Sequence, residues 1–179
     1  MQVLREGNLE LYLPDDVQAK KFDDSTHGLS HCMKAVDFIV ETSDKIVFIE
    51  FKDPDNQHAP LKERKDFLEK LMGGKKDDHF VRKYRDTFIY QWAARALTKP
   101  IEYYVLVATS QLDAAMLLAR TEELKRKLPL EGPKSGVWQR QIAAGCGVFN
   151  IETWNEHLGK WKVSRVSKEN IDEKDRDET

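Results

Sequence analysis

Two runs of β-branched and aromatic residues stand next to each other in the first third of the chain. Met33 to Glu41 (MKAVDFIVE) and Lys45 to Lys52 (KIVFIEFK) are separated by Thr42-Ser43-Asp44, whose residue types favour turns. Runs of this length on either side of a short turn segment are typical of a β-hairpin. The pattern therefore predicts two antiparallel strands joined by a tight connection.

Helical and buried-strand patterns follow the hairpin. Pro60 to Met72 has proline in its first turn and two glycines past its end, which predicts a helix. Phe80 to Leu97 repeats apolar residues at spacings of three and four, which predicts a second helix, and Ile101 to Thr109 has the nearly continuous apolar pattern of a strand buried on both faces. The apolar stripes are predicted to comprise Val81, Tyr84, Phe88 and Trp92 in the second helix and Met116, Leu117, Leu124 and Leu128 in a third helix at Asp113 to Leu128.

The two ends of the chain give weaker patterns. Leu9 to Leu13 stops at Pro14 and fits either a short edge strand or the end of a helix begun near Val3. Short strands are expected at Gly147 to Ile151 and Trp161 to Val166, with a helix at Thr153 to Leu158 between them. The order of elements predicts an α/β sandwich with a mixed central sheet in one domain, residues 1–166. Residues 167–179 are nearly all charged and are predicted to form a solvated tail.

Composition narrows the class of protein. The 179 residues suit about one domain, and with 40% hydrophobic and 34% charged residues the chain is expected to be neither disordered nor embedded in a membrane. It contains no apolar run of the ~20 residues needed to span a bilayer and no signal-peptide pattern at its start, and Cys32 and Cys146 form no CxxC pair. We expect a cytoplasmic protein with ordinary thiols, and the sequence leaves its oligomeric state open, a homodimer included.

The net charge of the chain is −2, so binding to a polyanion would depend on local patches of positive charge. The stretch 62–85 is basic, and we single out Lys62, Lys65, Lys75 and Lys76 within it. These lysines either follow a phosphate backbone or form the solvated face of a helix. His27 and His31 lie in the polar segment before the hairpin and are candidates for contacts with nucleic acid.

The hairpin pattern also predicts which residues face each other. With a loop of four residues, Thr42 to Lys45, Glu41 pairs with Ile46 and the same register sets Asp37 opposite Glu50. One face of the hairpin is then wholly apolar, whereas the other carries both acids. Lys52 lies two residues beyond Glu50 and therefore points to the same side. Three ionisable groups converge at the strand ends away from the turn.

Two directly opposed carboxylates have a chemical consequence. Their Cβ atoms lie about 4.5–5.5 Å apart, a distance at which one carboxylate gains a proton unless a cation sits between them. Hard oxygen ligands in so small a set suit Mg²⁺ or Mn²⁺, which complete their shell with water and substrate phosphate oxygens. A lysine beside such a cation can orient an attacking water and stabilise charge on a phosphate. The pattern thus indicates phosphodiester hydrolysis.

The same residues resemble a known motif. The hairpin resembles the D…(D/E)xK core of the PD-(D/E)xK nuclease superfamily, with Asp37 on one strand and Glu50-Phe51-Lys52 on the next. The resemblance covers residues 33–110. Val36 stands at the position for which the motif names a proline. The resemblance implies a restriction-endonuclease-like three-layer sandwich, with a mixed central sheet flanked by helices, and a nuclease that uses Mg²⁺ or Mn²⁺ to act on DNA rather than RNA. It further implies that Asp37, Glu50 and the Phe51 backbone carbonyl bind the metal and that Lys52 is the catalytic lysine.

Two further positions follow from the resemblance. Many members of the superfamily add an acid from an N-terminal helix, for which Glu10 or Glu6 is the candidate, and some carry a glutamine on the helix after the ExK triplet, for which Gln91 is the counterpart. Two other hypotheses about the function remain open besides a nuclease. The chain could be a catalytically inactive binding or regulatory module of the same fold, or a structural protein whose acids form only a surface salt-bridge cluster.

Overall fold

A five-stranded mixed sheet forms the centre of the computed structural model, which describes residues 1–24 and 27–166. The strands are β1 (Gln2–Glu6), β2 (Leu9–Leu13), β3 (Gln18–Lys21), β4 (Phe38–Glu41), β5 (Ile46–Lys52), β6 (Ile101–Val107), β7 (Gly145–Phe149) and β8 (Val163–Arg165). The helices are α1 (Leu61–Met72), α2 (Asp77–Ala93), α3 (Ala114–Lys127) and α4 (Ile151–His157). The central sheet has the order β3-β4-β5-β6-β7, antiparallel up to β5 and parallel from β5 to β7, and a second sheet has the order β1-β2-β8.

The hairpin formed by β4 and β5 has the predicted register. Glu41 pairs with Ile46, as the four-residue loop requires, and the Thr42 amide donates a hydrogen bond to the Lys45 carbonyl at 2.9 Å. The first strand is shorter than predicted, because residues 33–37 lie outside it. The amides of Lys34 and Val36 donate to side chains of α2 and not to a neighbouring strand.

The alternation of side chains along β5 separates two cores. Ile46 and Phe48 face a core under α1, α2 and α3, whereas Val47, Ile49 and Phe51 face a second core. The second core is closed by β2, β8 and α4, with Trp154 fully buried at its centre. The fold is therefore mixed α/β around a mixed central sheet, as predicted, but one flank is a small sheet with one short helix and not a layer of helices.

Two predicted apolar positions are wrong. The buried stripe of α2 includes Phe80, Tyr84, Thr87 and Gln91, so that Trp92 falls beside the stripe and is 60% exposed. Met116 on α3 is likewise exposed, because that helix buries Leu117 and Leu124. The period of 3.6 residues selects one face of each helix, and large apolar residues next to that face remain in solvent.

The start of the chain, left open by its pattern, is extended and not helical. Leu9–Leu13 forms the middle strand of the small sheet, between β1 and β8, and four of its five residues are buried. Across residues 1–24 and 27–166, no helix combines the length and the apolar character needed to cross a membrane. Cys32 and Cys146 are free thiols. The predicted tail, residues 167–179, lies outside the described residues.

Candidate metal and catalytic site

Asp37 lies at the entrance to β4 and is held by the backbone on both sides. Its Oδ2 atom accepts a hydrogen bond from the Phe51 amide at 2.6 Å, and its carbonyl accepts one from the Phe22 amide at 2.8 Å. The residue is 2% exposed. The β4–β5 register, continued by one residue, thus sets Asp37 opposite Glu50 as the sequence predicts.

Glu50 is the most deeply buried ionisable group of the site, with 0% exposure. Its Oε1 atom lies 2.5 Å from Lys52 Nζ and 2.8 Å from Lys83 Nζ. In the part of the chain that the structure describes, its Oε2 atom has no hydrogen-bond partner. A buried carboxylate oxygen without a partner is costly, and such atoms in folded proteins call for an explanation such as an ion or a bound water.

Lys83 is the site residue that the sequence reasoning missed. It lies on α2, its side chain is 7% exposed, and its Nζ atom contacts Asp23 Oδ2 at 3.1 Å, Asp37 Oδ1 at 3.2 Å and Glu50 Oε1 at 2.8 Å. The signal was present, because position 83 falls in the buried stripe of α2, where a lysine is rarely found without partners. The ammonium group occupies the space between the two opposed carboxylates.

Lys52 connects the buried acids with the surface. Its Nζ atom donates to the Phe51 carbonyl at 2.9 Å as well as contacting Glu50, and its side chain is 26% exposed. Because the side chain is partly exposed and its Nζ atom lies beside Glu50, the ammonium group can donate a hydrogen bond to a phosphate that approaches the strand end. This geometry suits the stabilisation of charge that develops on a phosphate.

The environment shifts the pKa of each buried group. Burial raises the pKa of Glu50 to about 7, the charge of Asp37 adds to the effect, and Lys52 and Lys83 oppose it. Burial also raises the pKa of Asp37, against the charges of Lys52 and Lys83 and the hydrogen bond from Phe51. Burial lowers the pKa of Lys83, but the charges of Glu50 and Asp37 outweigh it and the net shift is upward. Paired perturbed groups of this kind are typical of functional sites.

The donor set fits a hard divalent cation, with a condition. Asp37, Glu50 and the Phe51 carbonyl offer only oxygen donors, as Mg²⁺ and Mn²⁺ prefer. Within residues 1–24 and 27–166, no group of three or more acidic, histidine or cysteine side chains is arranged to hold a metal ion, so a cation there would rely on the two carboxylates, backbone and water. The condition is that the ammonium groups of Lys83 and Lys52 move, since they now contact oxygens of the same donor set.

The acid expected from the N-terminal region is not where the resemblance places it. Glu10 is buried in the small sheet, where its carboxylate binds Arg5 and accepts a hydrogen bond from the Tyr12 hydroxyl at 2.5 Å. Glu6 pairs with Lys21 at 2.8 Å. The N-terminal acid that does reach the site is Asp23, which follows β3 and contacts Lys83.

Gln91 lies at the other end of the hairpin. It is buried and lines a cavity of about 240 Å³ together with Glu41 and Ile46, next to the turn. It follows Lys83 by two turns of α2, which is a translation of about 12 Å along the helix. The structure therefore places Lys83, and not Gln91, beside the acids.

The two predicted histidines lie in different environments. His27 is buried against the rings of Phe22 and Tyr90, and its Nδ1 atom accepts a hydrogen bond from the Leu29 amide at 3.1 Å. These contacts give it a packing role. His31 is exposed and remains available to a ligand.

A third histidine, His79, was not predicted. It is exposed, lies one turn before Lys83 on α2, and its partial burial, helped by the charges of Lys83 and Lys52, lowers its pKa to about 4. Its imidazole is therefore neutral at pH 7 and stands near the positively charged groups of the site.

The predicted basic residues lie on and after α1. Lys62, Lys65 and Lys75 are exposed, and the ammonium group of Lys76 lies 4.9 Å from the centre of the Phe67 ring. Some of the basic charge of this stretch is already paired, since Lys70 contacts Asp66 at 2.6 Å. Lys62 and Lys65 on α1 and Lys75 after it are exposed, with the exposed acids Glu63, Asp66 and Glu69 between them, and we call these three lysines the α1 surface.

We compared the chain with the models of known protein families, with curated proteins and with solved structures. None of the three comparisons found a match.

Proposed function

We propose that this protein is a metal-dependent nuclease of the restriction-endonuclease-like fold, which hydrolyses phosphodiester bonds of DNA. The observation that carries the proposal is the buried Oε2 atom of Glu50, which has no hydrogen-bond partner among the described residues. The carboxylate of Glu50 lies opposite Asp37 across the hairpin. Such an arrangement is stabilised by a cation. The fold supports the proposal, because the sequence of hairpin, helices and parallel strand agrees with the core that the D…(D/E)xK resemblance implies.

Each residue of the site has a distinct role in this proposal. Asp37 and Glu50 hold Mg²⁺ or Mn²⁺, with the Phe51 carbonyl as a further donor. The bound cation would supply Lewis acidity toward the phosphate and favour deprotonation of a bound water. Lys52 donates hydrogen bonds to a phosphate oxygen at the strand end and stabilises its growing negative charge. The backbone hydrogen bond from Phe51 keeps the Asp37 carboxylate in one orientation throughout.

The DNA would be bound largely by charge. The α1 surface offers three exposed lysines that follow the strand carrying Glu50 and Lys52 in the chain. Lysine contacts to phosphates supply affinity without sequence preference. The chain has a net charge of −2, so binding requires that the positive charge be concentrated on one surface.

Lys83 favours a second candidate function. Its ammonium group and that of Lys52 supply two positive charges to the two carboxylates of Asp37 and Glu50, so that the charges balance without a metal. A protein of the same fold that binds nucleic acid without cleaving it could be built in this way. The two candidates differ in catalysis, because only the first cleaves DNA and requires a divalent cation to do so.

A cleavage assay separates the two candidates. Labelled duplex, single-stranded and branched DNA and an RNA of the same sequence are incubated with the protein in Mg²⁺, Mn²⁺ or EDTA. Cleavage of DNA in either metal and its absence in EDTA support the nuclease. Binding of the same DNA without cleavage in any condition supports the non-catalytic module.

A further inference from the structure

Three acids surround the ammonium group of Lys83. Asp37 and Glu50 are buried and are the proposed metal ligands, whereas the side chain of Asp23 is 45% exposed and lies at the edge of the site. The distances from Nζ are 3.2, 2.8 and 3.1 Å respectively. Lys83 therefore has one partner outside the proposed metal site and two within it.

The geometry points to a shared position. We propose that the Lys83 ammonium group and a divalent cation are alternative occupants of the space between Asp37 and Glu50, and that Asp23 retains the ammonium group when the cation binds. The inference rests on the proposed function, because it assumes that these two carboxylates are the metal ligands. It makes Lys83 a positioning residue that acts through them.

Electrostatics makes joint occupancy unfavourable. The ammonium group contacts one oxygen of each carboxylate, Asp37 Oδ1 and Glu50 Oε1, and the other oxygen of Asp37 is taken by the Phe51 amide. A divalent cation that binds both acids would lie within a few ångströms of Nζ, where two positive charges in a poorly solvated site repel strongly. The ammonium group must then leave Asp37 and Glu50.

Asp23 provides the place to which it can move. The Asp23 carboxylate is already in contact with Nζ, so a rotation of the lysine side chain about its flexible stem suffices and α2 can remain in place. Asp23 is also the more solvated acid, so the ammonium group loses less hydration there than between the buried pair. In this state Lys83 is more accessible to solvent than in the metal-free protein.

The shared position has consequences for both forms. Without metal, Lys83 compensates the buried charges and keeps the site folded. With metal, the same lysine is a competitor that weakens cation affinity. Removing it should therefore destabilise the metal-free protein and strengthen metal binding, whereas the loss of an ordinary structural contact would do only the first.

The test compares wild type with Lys83→Met and with the control Lys70→Met, which removes an exposed lysine from α1. Mn²⁺ affinity is measured by calorimetry and thermal unfolding is followed in EDTA and in Mn²⁺. We expect Lys83→Met to unfold at a lower temperature than wild type in EDTA and to bind Mn²⁺ at least tenfold more tightly. The addition of Mn²⁺ should raise the unfolding temperature of Lys83→Met more than that of wild type. Lys70→Met should match wild type.

The outcomes separate the inference from the proposed function. If wild type binds Mn²⁺ and Lys83→Met binds it no more tightly, the shared position is overturned and the nuclease proposal stands. If neither protein binds Mn²⁺, the nuclease proposal is overturned together with the inference. If only Lys83→Met binds Mn²⁺, the shared position is supported and wild type is the non-catalytic module.

A measurement on the unaltered protein covers the case in which Lys83→Met does not fold. Lysine acylation by an amine-reactive reagent is followed by mass spectrometry in EDTA and in Mn²⁺, with Lys70 as the internal reference. Labelling of Lys83 should be slow in EDTA and rise severalfold in Mn²⁺, while labelling of Lys70 stays constant. Equal labelling of Lys83 in both conditions would overturn the inference.

Discussion

The Phe51 amide donates a hydrogen bond of 2.6 Å to Asp37 Oδ2, and this bond joins the two strand ends that carry the acids. It fixes one oxygen of Asp37 on the backbone and leaves the other, Oδ1, directed toward Lys83. The orientation of the carboxylate is therefore set by the hairpin itself. A cation or other ligand that binds Oδ1 therefore finds the Asp37 carboxylate already in its binding orientation.

Removal of either acid should weaken metal binding strongly. Asp37→Ala and Glu50→Ala each delete one anionic ligand of a site that offers only two carboxylates, and calorimetry should detect Mn²⁺ binding in wild type and at least tenfold weaker binding in both variants. Asp66→Ala, which removes an exposed acid of α1, is the control and should bind as wild type. Unchanged Mn²⁺ affinity in both site variants would refute the assignment of the ligands.

Lys52 should be needed for turnover and not for binding. Lys52→Ala is expected to lose cleavage by roughly 10²–10⁴-fold while its affinity for Mn²⁺ and DNA stays within a few-fold of wild type, because the proposed interaction forms in the transition state. Single-turnover cleavage and a binding titration measure the two effects separately. Lys70→Ala is the matched control. Wild-type turnover by Lys52→Ala would remove this residue from the mechanism.

The metal-free wild type should lose stability relative to Glu50→Gln as the pH rises from about 4.5 to about 7. The pKa of Glu50 is raised from 4.5 to about 7, chiefly by burial and then by the charge of Asp37. Between these values Glu50 binds more protons in the folded protein than in the unfolded chain, so this group alone lowers the free energy of unfolding with rising pH by roughly 2–4 kcal/mol, whereas His79, whose pKa is lowered to about 4, acts in the opposite direction. The pKa of Lys83 is raised, so its contribution is complete below about 10 and does not change in this window.

Urea denaturation in EDTA at pH 5 and pH 8 measures this effect. Glu50→Gln has no carboxyl group at this position, so its stability at pH 8 relative to pH 5 should be higher than that of wild type. If the stability of wild type and of Glu50→Gln changes equally between these pH values, the burial of a charged Glu50 does not affect stability as proposed.

The α1 surface should govern the salt dependence of DNA binding. Each lysine that contacts a phosphate contributes about −0.9 to the slope of log K against log salt on duplex DNA, so the triple change of Lys62, Lys65 and Lys75 to glutamine should flatten the slope by about 2–3. The affinity should fall similarly for unrelated sequences, because phosphate contacts carry no sequence information.

The control for this experiment removes three charges elsewhere. Lys125, Lys134 and Lys160 are exposed and lie outside α1 and the segment that follows it. Their change to glutamine should leave the slope close to that of wild type. If both triple variants behave alike, the α1 surface is an ordinary solvated helix face and DNA approaches from another side, for which the exposed His31 marks a candidate.

The hairpin could be predicted because its sequence contains two independent constraints. The alternation of apolar and polar residues assigns each position to a face, and the turn residues set the register, so the juxtaposition of Asp37 and Glu50 follows by counting. β5, β6 and α1 were found for the same reason, since each has a period and a clear end. The N-terminal strand β3 was not found, because Gln18–Lys21 is mostly exposed and has no apolar pattern.

The positions of Lys83 and Asp23 at the site could not be predicted by counting along the chain, because tertiary packing decides them. The helix stripe indicates that position 83 is buried, but only the crossing of α2 over the sheet shows which acids it meets. Asp23 reaches the site because the Phe22 amide continues the pairing of β3 with β4, an interaction that the sequence does not reveal. Gln91 was chosen from the resemblance, and its distance along α2 from Lys83 explains why the structure places it elsewhere.

The measurement that tests the central claim most directly is the cleavage of one labelled DNA duplex by wild type and by Glu50→Gln, prepared side by side, in Mn²⁺ and in EDTA. Glu50→Gln preserves the shape of the buried side chain and removes only its charge. We predict cleavage by wild type in Mn²⁺, none in EDTA, and a loss of at least 10²-fold in the variant. Cleavage that persists in EDTA, or that is equal in the two proteins, would contradict the proposal that Glu50 holds a catalytic metal.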